Sequence, residues 1–217
     1  MVKNKLQSPK NSTDILRFFS FSKIAFIPMN YSGKLLIASP SLIDPNFRQT
    51  VVFLVQGSDD EEVFGLVLNR VSEQPLRAIW KPVFHQDFAT DSLLYFGGPV
   101  FSRLTALHSI KLPNSFEVVP GVYFTSIPAD LKQIVRDQNK NKHKNNHFRF
   151  FFGNAGWDPN QLLQEIAEGV WYLAEATQEL VFNNDSELWQ HLIEAIGQNI
   201  LSEILHTNKF PNDPALN

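Results

Sequence analysis

Residues 50–69 constrain the fold more than any other stretch. TVVFLV (50–55) and VFGLVLN (63–69) are apolar, β-branched and aromatic, and the acidic loop GSDDEE separates them. Two such runs joined by a short polar loop form a hairpin, so the chain contains at least one antiparallel strand pair. Upstream, GKLLIAS from Gly33 reads as a buried strand, and Ser39-Pro40 and Asp44-Pro45-Asn46 punctuate the path to the hairpin. Further strands are expected at LLYF (93–96), LTALHSI (104–110), GVYFTS (121–126), HFRFFFG (147–153) and QELVFN (178–183).

Helical spacing concentrates toward the C-terminus. Pro128 opens a helix over ADLKQIVRDQ with Leu131, Ile134 and Val135 on one face. Asp158 has the chemistry of an N-cap and Pro159 that of a first helical residue. The helix they would start turns Leu162, Leu163, Ile166 and Val170 inward and Glu165 and Glu168 outward. Asp185 or Ser186 caps another, with Leu188, Trp189, Leu192, Ile193 and Ile196 inward and Gly197 as its stop. Ile200, Leu201, Ile204 and Leu205 form one more short helix. Irregular alternation of strands with few helices favours α+β over a doubly wound parallel sheet.

The 217 residues suit one domain, and 43% hydrophobic content with nineteen Phe supplies a core. There is no cysteine, which removes disulfides, thiolate metal sites and cysteine nucleophiles, and is consistent with a reducing cytoplasm. No apolar run reaches the ~18–20 residues of a spanning helix. Residues 1–30 read as a basic extension, with Lys3, Lys5, Lys10, Arg17 and Lys23 against Asp14. A targeting segment and a start at Met29 are both open. The domain is expected over residues 31–207, with 208–217 a tail.

Net charge is −3, which gives no global case for nucleic acid. Residues 155–217 hold ten acids against Lys209. Residues 138–149 hold Lys140, Lys142, Lys144 and Arg149 with no acid, a pattern of solvated surface, with an anion or RNA patch as the alternative. Asp59, Asp60, Glu61 and Glu62 read as a charged hairpin tip rather than a Ca²⁺ loop, since EF-hand spacing is absent.

Catalytic signatures are missing. The sequence has no Gly-x-Ser-x-Gly, no Walker loop, no Gly-x-Gly-x-x-Gly and no His-Glu-x-x-His. His143 and His147, four apart, sit in a cationic run that opposes a metal. His85 and Asp87 read as surface polar residues, and His108 as a half-buried, hydrogen-bonded histidine. Two glycine clusters are the candidate ligand-binding positions: Gly97 and Gly98 after one strand, and Gly153, Gly156 and Trp157 between a strand and a capped helix. A glycine turn into a helix exposes backbone N–H groups to anions. A tight turn or close backbone packing explains the same glycines structurally.

Taken together these segments resemble the YqgE/AlgH family of bacterial proteins. The resemblance runs from GKLLIASPSLIDPNFRQTVVFLV through GLVLNR, FGGPV, LHS and GVYFT to FFFGNAGWDPNQLLQEI, then Trp171, LVF (180–182) and LW (188–189). The aromatic of the family's G-Y-A-G-W element is replaced here by Asn154, and a histidine after the second strand is replaced near Gln56-Gly57. The resemblance implies a curled, mixed or antiparallel sheet with flanking helices, the helices concentrated in the C-terminal third. It brings no catalytic set and no cofactor, and part of the family carries a transcriptional-regulator label. With no recognition-helix motif and an acidic C-terminal half, direct DNA binding is disfavoured. The expectation is a non-enzymatic cytoplasmic protein that binds a protein or small-molecule partner in a regulatory role. The alternatives are an enzyme with a site near the glycine clusters and a nucleic-acid regulator using residues 138–149.

Overall fold

The computed structural model describes residues 29–85, 92–139, 147–184 and 186–207. Its strands are β1 (Lys34–Ala38), β2 (Val51–Gln56), β3 (Val63–Val67), β4 (Leu94–Phe96), β5 (Val100–His108), β6 (Phe116–Val119), β7 (Val122–Thr125), β8 (Phe148–Trp157) and β9 (Trp171–Glu175). Its helices are α1 (Leu76–Phe84), α2 (Pro128–Asn139), α3 (Gln161–Ala167), α4 (Gln178–Val181) and α5 (Leu188–Thr207). The sheet runs β6-β7-β5-β8-β3-β2-β1-β9, and β4 pairs with β8. Every pair is antiparallel except β4 with β8.

β1 and β2 read as unbroken apolar runs because both their faces are covered. Leu35, Ile37, Phe53 and Val55 join Leu107, Val122 and Phe151 from the far half of the sheet in one core. That core is the inner face of a curled sheet, and Leu188, Trp189, Leu192, Ile193 and Ile196 pack onto it. On the outer face, Leu36, Val52, Leu54 and Trp157 meet Leu162 of α3. Farther along, Leu104, Ala106 and Phe150 meet Trp80 of α1 and Leu131, Ile134 and Val135 of α2.

β8 holds the two halves together. Its first half pairs with β5 and β4, and its last three residues pair with β3. Phe148, Phe150 and Phe152 serve one outer core, Phe151 the inner core, and Ala155 and Trp157 the second outer core. The strand bends at Gly153, which has φ 80°. A Cβ there would lie 2.4 Å from the Gly98 carbonyl oxygen, and a Cβ on Gly97 would lie 2.2 Å from that of Gly153. At the open ends of the curl, Gly33 (φ 80°) packs against Val119 and Gly121 (φ 78°) against Gln178.

Several local expectations are corrected. Gly153–Trp157 is not a turn but the continuation of β8, because Asn154 pairs with β5, Ala155–Trp157 pair with β3, and Ala155 and Trp157 face a core. Asp158 and Pro159 do not start a helix. α3 begins at Gln161 behind Asn160, which adopts the left-handed conformation (φ 65°) and offers no side-chain cap. Residues 178–181 form a helix rather than a strand, because the Thr177 hydroxyl accepts from the Leu180 N–H at 3.3 Å and caps a turn. Gly197 does not stop α5, which runs on to Thr207 and absorbs the separate short helix. Glu165 points inward, and Asp59 is buried rather than solvated at the hairpin tip. α1, β6 and β9 were not foreseen.

Candidate functional site

The bend in β8 leaves a cleft of about 710 Å³ between the two halves of the sheet. Alternate residues of a strand share a face, so Asn154, Gly156 and Asp158 line it in succession. β3 contributes Val63 and Phe64, with Glu62 just before it, and β2 ends in the cleft at Gln56. The opposite wall is Val100, Arg103 and Thr105 of β5 with Phe124 and Ser126 of β7 and its end. Phe64 and Phe124 meet edge to face, ring centres 5.5 Å apart, and bridge the two walls.

Thr105 is the unusual member. Its side chain is 2% exposed, and its hydroxyl finds no hydrogen-bond partner among the described residues. A buried hydroxyl without a partner costs about 1–3 kcal/mol. Gly156 is unusual in the opposite sense. It lies outside the left-handed region, and a Cβ added to it would meet nothing beyond its chain neighbours nearer than the Val63 carbonyl oxygen, at 3.9 Å. A glycine is not required there by the backbone; it leaves the cleft floor open.

Trp157 forms the outer boundary. Its indole N–H donates to Glu165 Oε2 at 2.9 Å, and the Trp171 indole donates to the same oxygen at 2.8 Å. Gln161 donates to the other carboxylate oxygen at 2.8 Å, and Phe47 packs on both indoles. One carboxylate thus fixes two buried tryptophans, and Trp157 is held rigidly beside the cleft.

Of the residues singled out in the sequence, the structure brings Gly156 and Trp157 to the cleft. Gly97, Gly98 and Gly153 lie behind it, where they let two backbones touch. Arg103, Thr105 and Phe124 were missed, because no local spacing marks residues that meet only through strand pairing, and Glu62, read as part of a charged hairpin tip, lines the cleft. Gln56 and Asn154, each at a departure from the family pattern, both line the cleft.

Other titratable groups are occupied elsewhere. Asp59 accepts from the Tyr31 hydroxyl at 2.5 Å and from the Met29 backbone at 2.8 Å; burial and the Asp59 carboxylate together push the Tyr31 phenol well above its ordinary range. Arg149, 4% exposed, donates to the Leu68 carbonyl at 3.1 Å, to the Asn183 carbonyl and to Asn184, and lies 4.9 Å over the Tyr95 ring. Burial lowers its pKa. His108 corrects its expectation: it is fully buried, stacks on Tyr123 at 5.9 Å, and neither ring nitrogen reaches hydrogen-bonding geometry. Burial lowers its pKa, opposed in part by the nearby Ile110 backbone and Asp130. Among the described residues no group of three or more His, Asp or Glu could hold a metal, and no helix is long and apolar enough to cross a membrane. Most of the 138–149 run, Asp87 and Asp185 lie outside the described residues.

A bent central strand, a curl enclosing one shared core and helices over both outer faces define an α+β half-barrel. The chain belongs to the AlgH-like family, whose model matches residues 35–201. A UPF0301 protein of Chlorobium chlorochromatii is 34% identical over 170 residues, covering 76% of this chain and 86% of that protein. One from Thermobifida fusca is 30% identical over 209 residues, covering 87% and 96%. The solution structure of the AlgH protein from Pseudomonas aeruginosa superposes with a TM-score of 0.63 at 25% identity, over 79% of this chain and 91% of that one. A protein from Corynebacterium diphtheriae shares the fold, with a TM-score of 0.59 at 23% identity, over 82% and 92%.

Proposed function

We propose that this chain is a non-enzymatic binding protein of the cytoplasm that takes up a ligand in the cleft along β8. The observation that carries this reading is the Thr105 hydroxyl, buried at the cleft wall with its hydrogen-bonding capacity unspent. A bound molecule offering an acceptor there would recover what folding leaves unsatisfied. The rigid Trp157 wall supports the reading, since preformed walls lose little freedom on binding. The regulatory role implied by the resemblance would then follow cleft occupancy. Of the five positions first proposed for binding, Gly156 and Trp157 keep that assignment, and Gly97, Gly98 and Gly153 support the bend.

The test is to purify the full chain and its Gly156→Val form from the native cell and compare co-purifying molecules by native mass spectrometry. Gly156→Val places a side chain in the cleft, with its Cβ 3.9 Å from the Val63 carbonyl oxygen. Molecules retained by the wild type and lost from the variant are expected; an identical set on both proteins overturns the cleft as the site.

A further inference from the structure

The cleft is electrically lopsided. Val63 pairs with Trp157, so Glu62 and Asp158 stand side by side where β3 and β8 meet at one end. Ala106 pairs with Thr125, so Thr105 and Ser126 stand side by side on the other wall, with Arg103 two residues before Thr105 on the same face. Among the described residues no ion pair joins Arg103 to Glu62 or Asp158, so the cation is not neutralised across the gap. Leu104, between Arg103 and Thr105, lies opposite Phe152 of β8, and Asp158 marks the acidic end. Six residues separate Phe152 from Asp158, about 20 Å at 3.3 Å per residue.

We propose that the cleft receives a short peptide of five or six residues with both termini free. Its ammonium lies toward Glu62 and Asp158 and its carboxylate toward Arg103, Thr105 and Ser126. This rests on the cleft reading above and names its ligand class. Length and charge argue together. An extended chain spans at most about 3.3–3.6 Å per residue, so five or six residues fill the gap between the charged ends. A carboxylate at the far end gives the Thr105 hydroxyl the acceptor it lacks, beside a guanidinium suited to two-pronged contact. The aromatic bridge of Phe64 and Phe124 offers apolar contact to side chains between the termini, and the amide of Gln56 offers a partner to a peptide backbone.

The experiment is a titration of the ¹⁵N-labelled full chain with a randomised hexapeptide mixture bearing free termini. It is repeated with the same mixture N-acetylated and then C-amidated. The free mixture is expected to shift the amides of Asn154–Asp158 and Glu62–Phe64, and either cap to weaken the response at least tenfold. Arg103→Gln should weaken the free mixture at least tenfold while leaving the weak response to the C-amidated mixture unchanged. Glu62→Gln with Asp158→Asn should do the same for the N-acetylated mixture. Melting of these exposed-residue variants, measured alongside, verifies that they fold. Equal response to capped and free mixtures, or no response to the free mixture, overturns the peptide assignment. Neither result touches the cleft reading itself, which stands or falls on the molecules lost from Gly156→Val.

Discussion

Two alanine substitutions three residues apart on β8 test how the central strand is built. Gly153→Ala forces an alanine to φ 80°, which costs about 1–2 kcal/mol by crowding between Cβ and carbonyl oxygen. Its Cβ also falls 2.4 Å from the Gly98 carbonyl oxygen, a backbone atom that cannot rotate away. Forcing atoms into a packed site adds about 1–3 kcal/mol. A loss of about 3 kcal/mol follows, or about 6–12 °C in Tm at 2–4 °C per kcal/mol for a chain of this size. Gly156→Ala meets neither obstacle and removes unfolded-state freedom, so it should be neutral or stabilise by about 0.4–1 kcal/mol. Urea unfolding of both full-length variants, read as midpoint shifts at constant m-value, measures the contrast. If the two variants differ by less than about 1 kcal/mol, the bend does not depend on Gly153 as described. The same comparison revises what the sequence implied, which was that glycine at 156 serves the turn.

Glu165→Ala should cost about 3 kcal/mol in urea unfolding because it strands two buried indole N–H groups, while Glu165→Gln, which keeps one acceptor, should cost about half as much; equal costs would mean the shared carboxylate oxygen does not matter. Thr105→Val should leave the ligand-free protein unchanged or more stable by about 1 kcal/mol, and a clear loss in thermal melting would show that its hydroxyl already has a partner. His108 is a base whose folded pKa is lowered, so the unfolded chain takes up its proton first: stability is complete above about pH 6.5 and declines as pH falls below it, by at most about 1.4 kcal/mol per pH unit. His108→Gln should flatten the acid limb of stability against pH between 6.5 and 5, and an unchanged slope would refute the assignment. A chain starting at Met29 should melt within about 2 kcal/mol of the full chain, the worth of one buried apolar side chain; a larger drop would show that residues 1–28 pack on the domain.

What the sequence disclosed follows the physics of short range. The β2–β3 hairpin, the apolar face of α2 and the inward residues of α5 are written in local periodicity and survive intact. Where tertiary contacts outvoted local preference, reading failed. The glycines and Asp158 after the Phe-rich run look like a strand end and a cap, yet β3 supplies a partner that carries β8 on to Trp157. LVF at 180–182 has strand composition, but Thr177 closes a helical turn first. Pro82 disguised α1, since a proline seven residues into a helix removes one of its ladder hydrogen bonds. Glu165 spaces as an outward residue until two indoles, one of them before α3 and one after it, converge on it. Little of the candidate cleft was legible for the same reason. Gly156 and Trp157 belong to a conspicuous run, whereas Arg103 and Thr105 acquire meaning only when β5 is laid beside β8.

The place of β8 at the centre of the sheet has a consequence for how the protein is made. β3 leaves the ribosome some ninety residues before Ala155–Trp157 of β8, which cover its free side, an interval of roughly 4–18 s at 5–20 residues per second. β1 waits longer still, since Lys34 meets its partner Glu175 across 141 residues. Throughout that interval the nascent β1–β2–β3 meander, almost wholly apolar, carries two open hydrogen-bonding edges. Such edges recruit other chains. Newborn molecules of this protein should therefore be steady customers of chaperones that shield strands cotranslationally, and a ribosome stalled before residue 148 should expose a sticky, unfinished sheet.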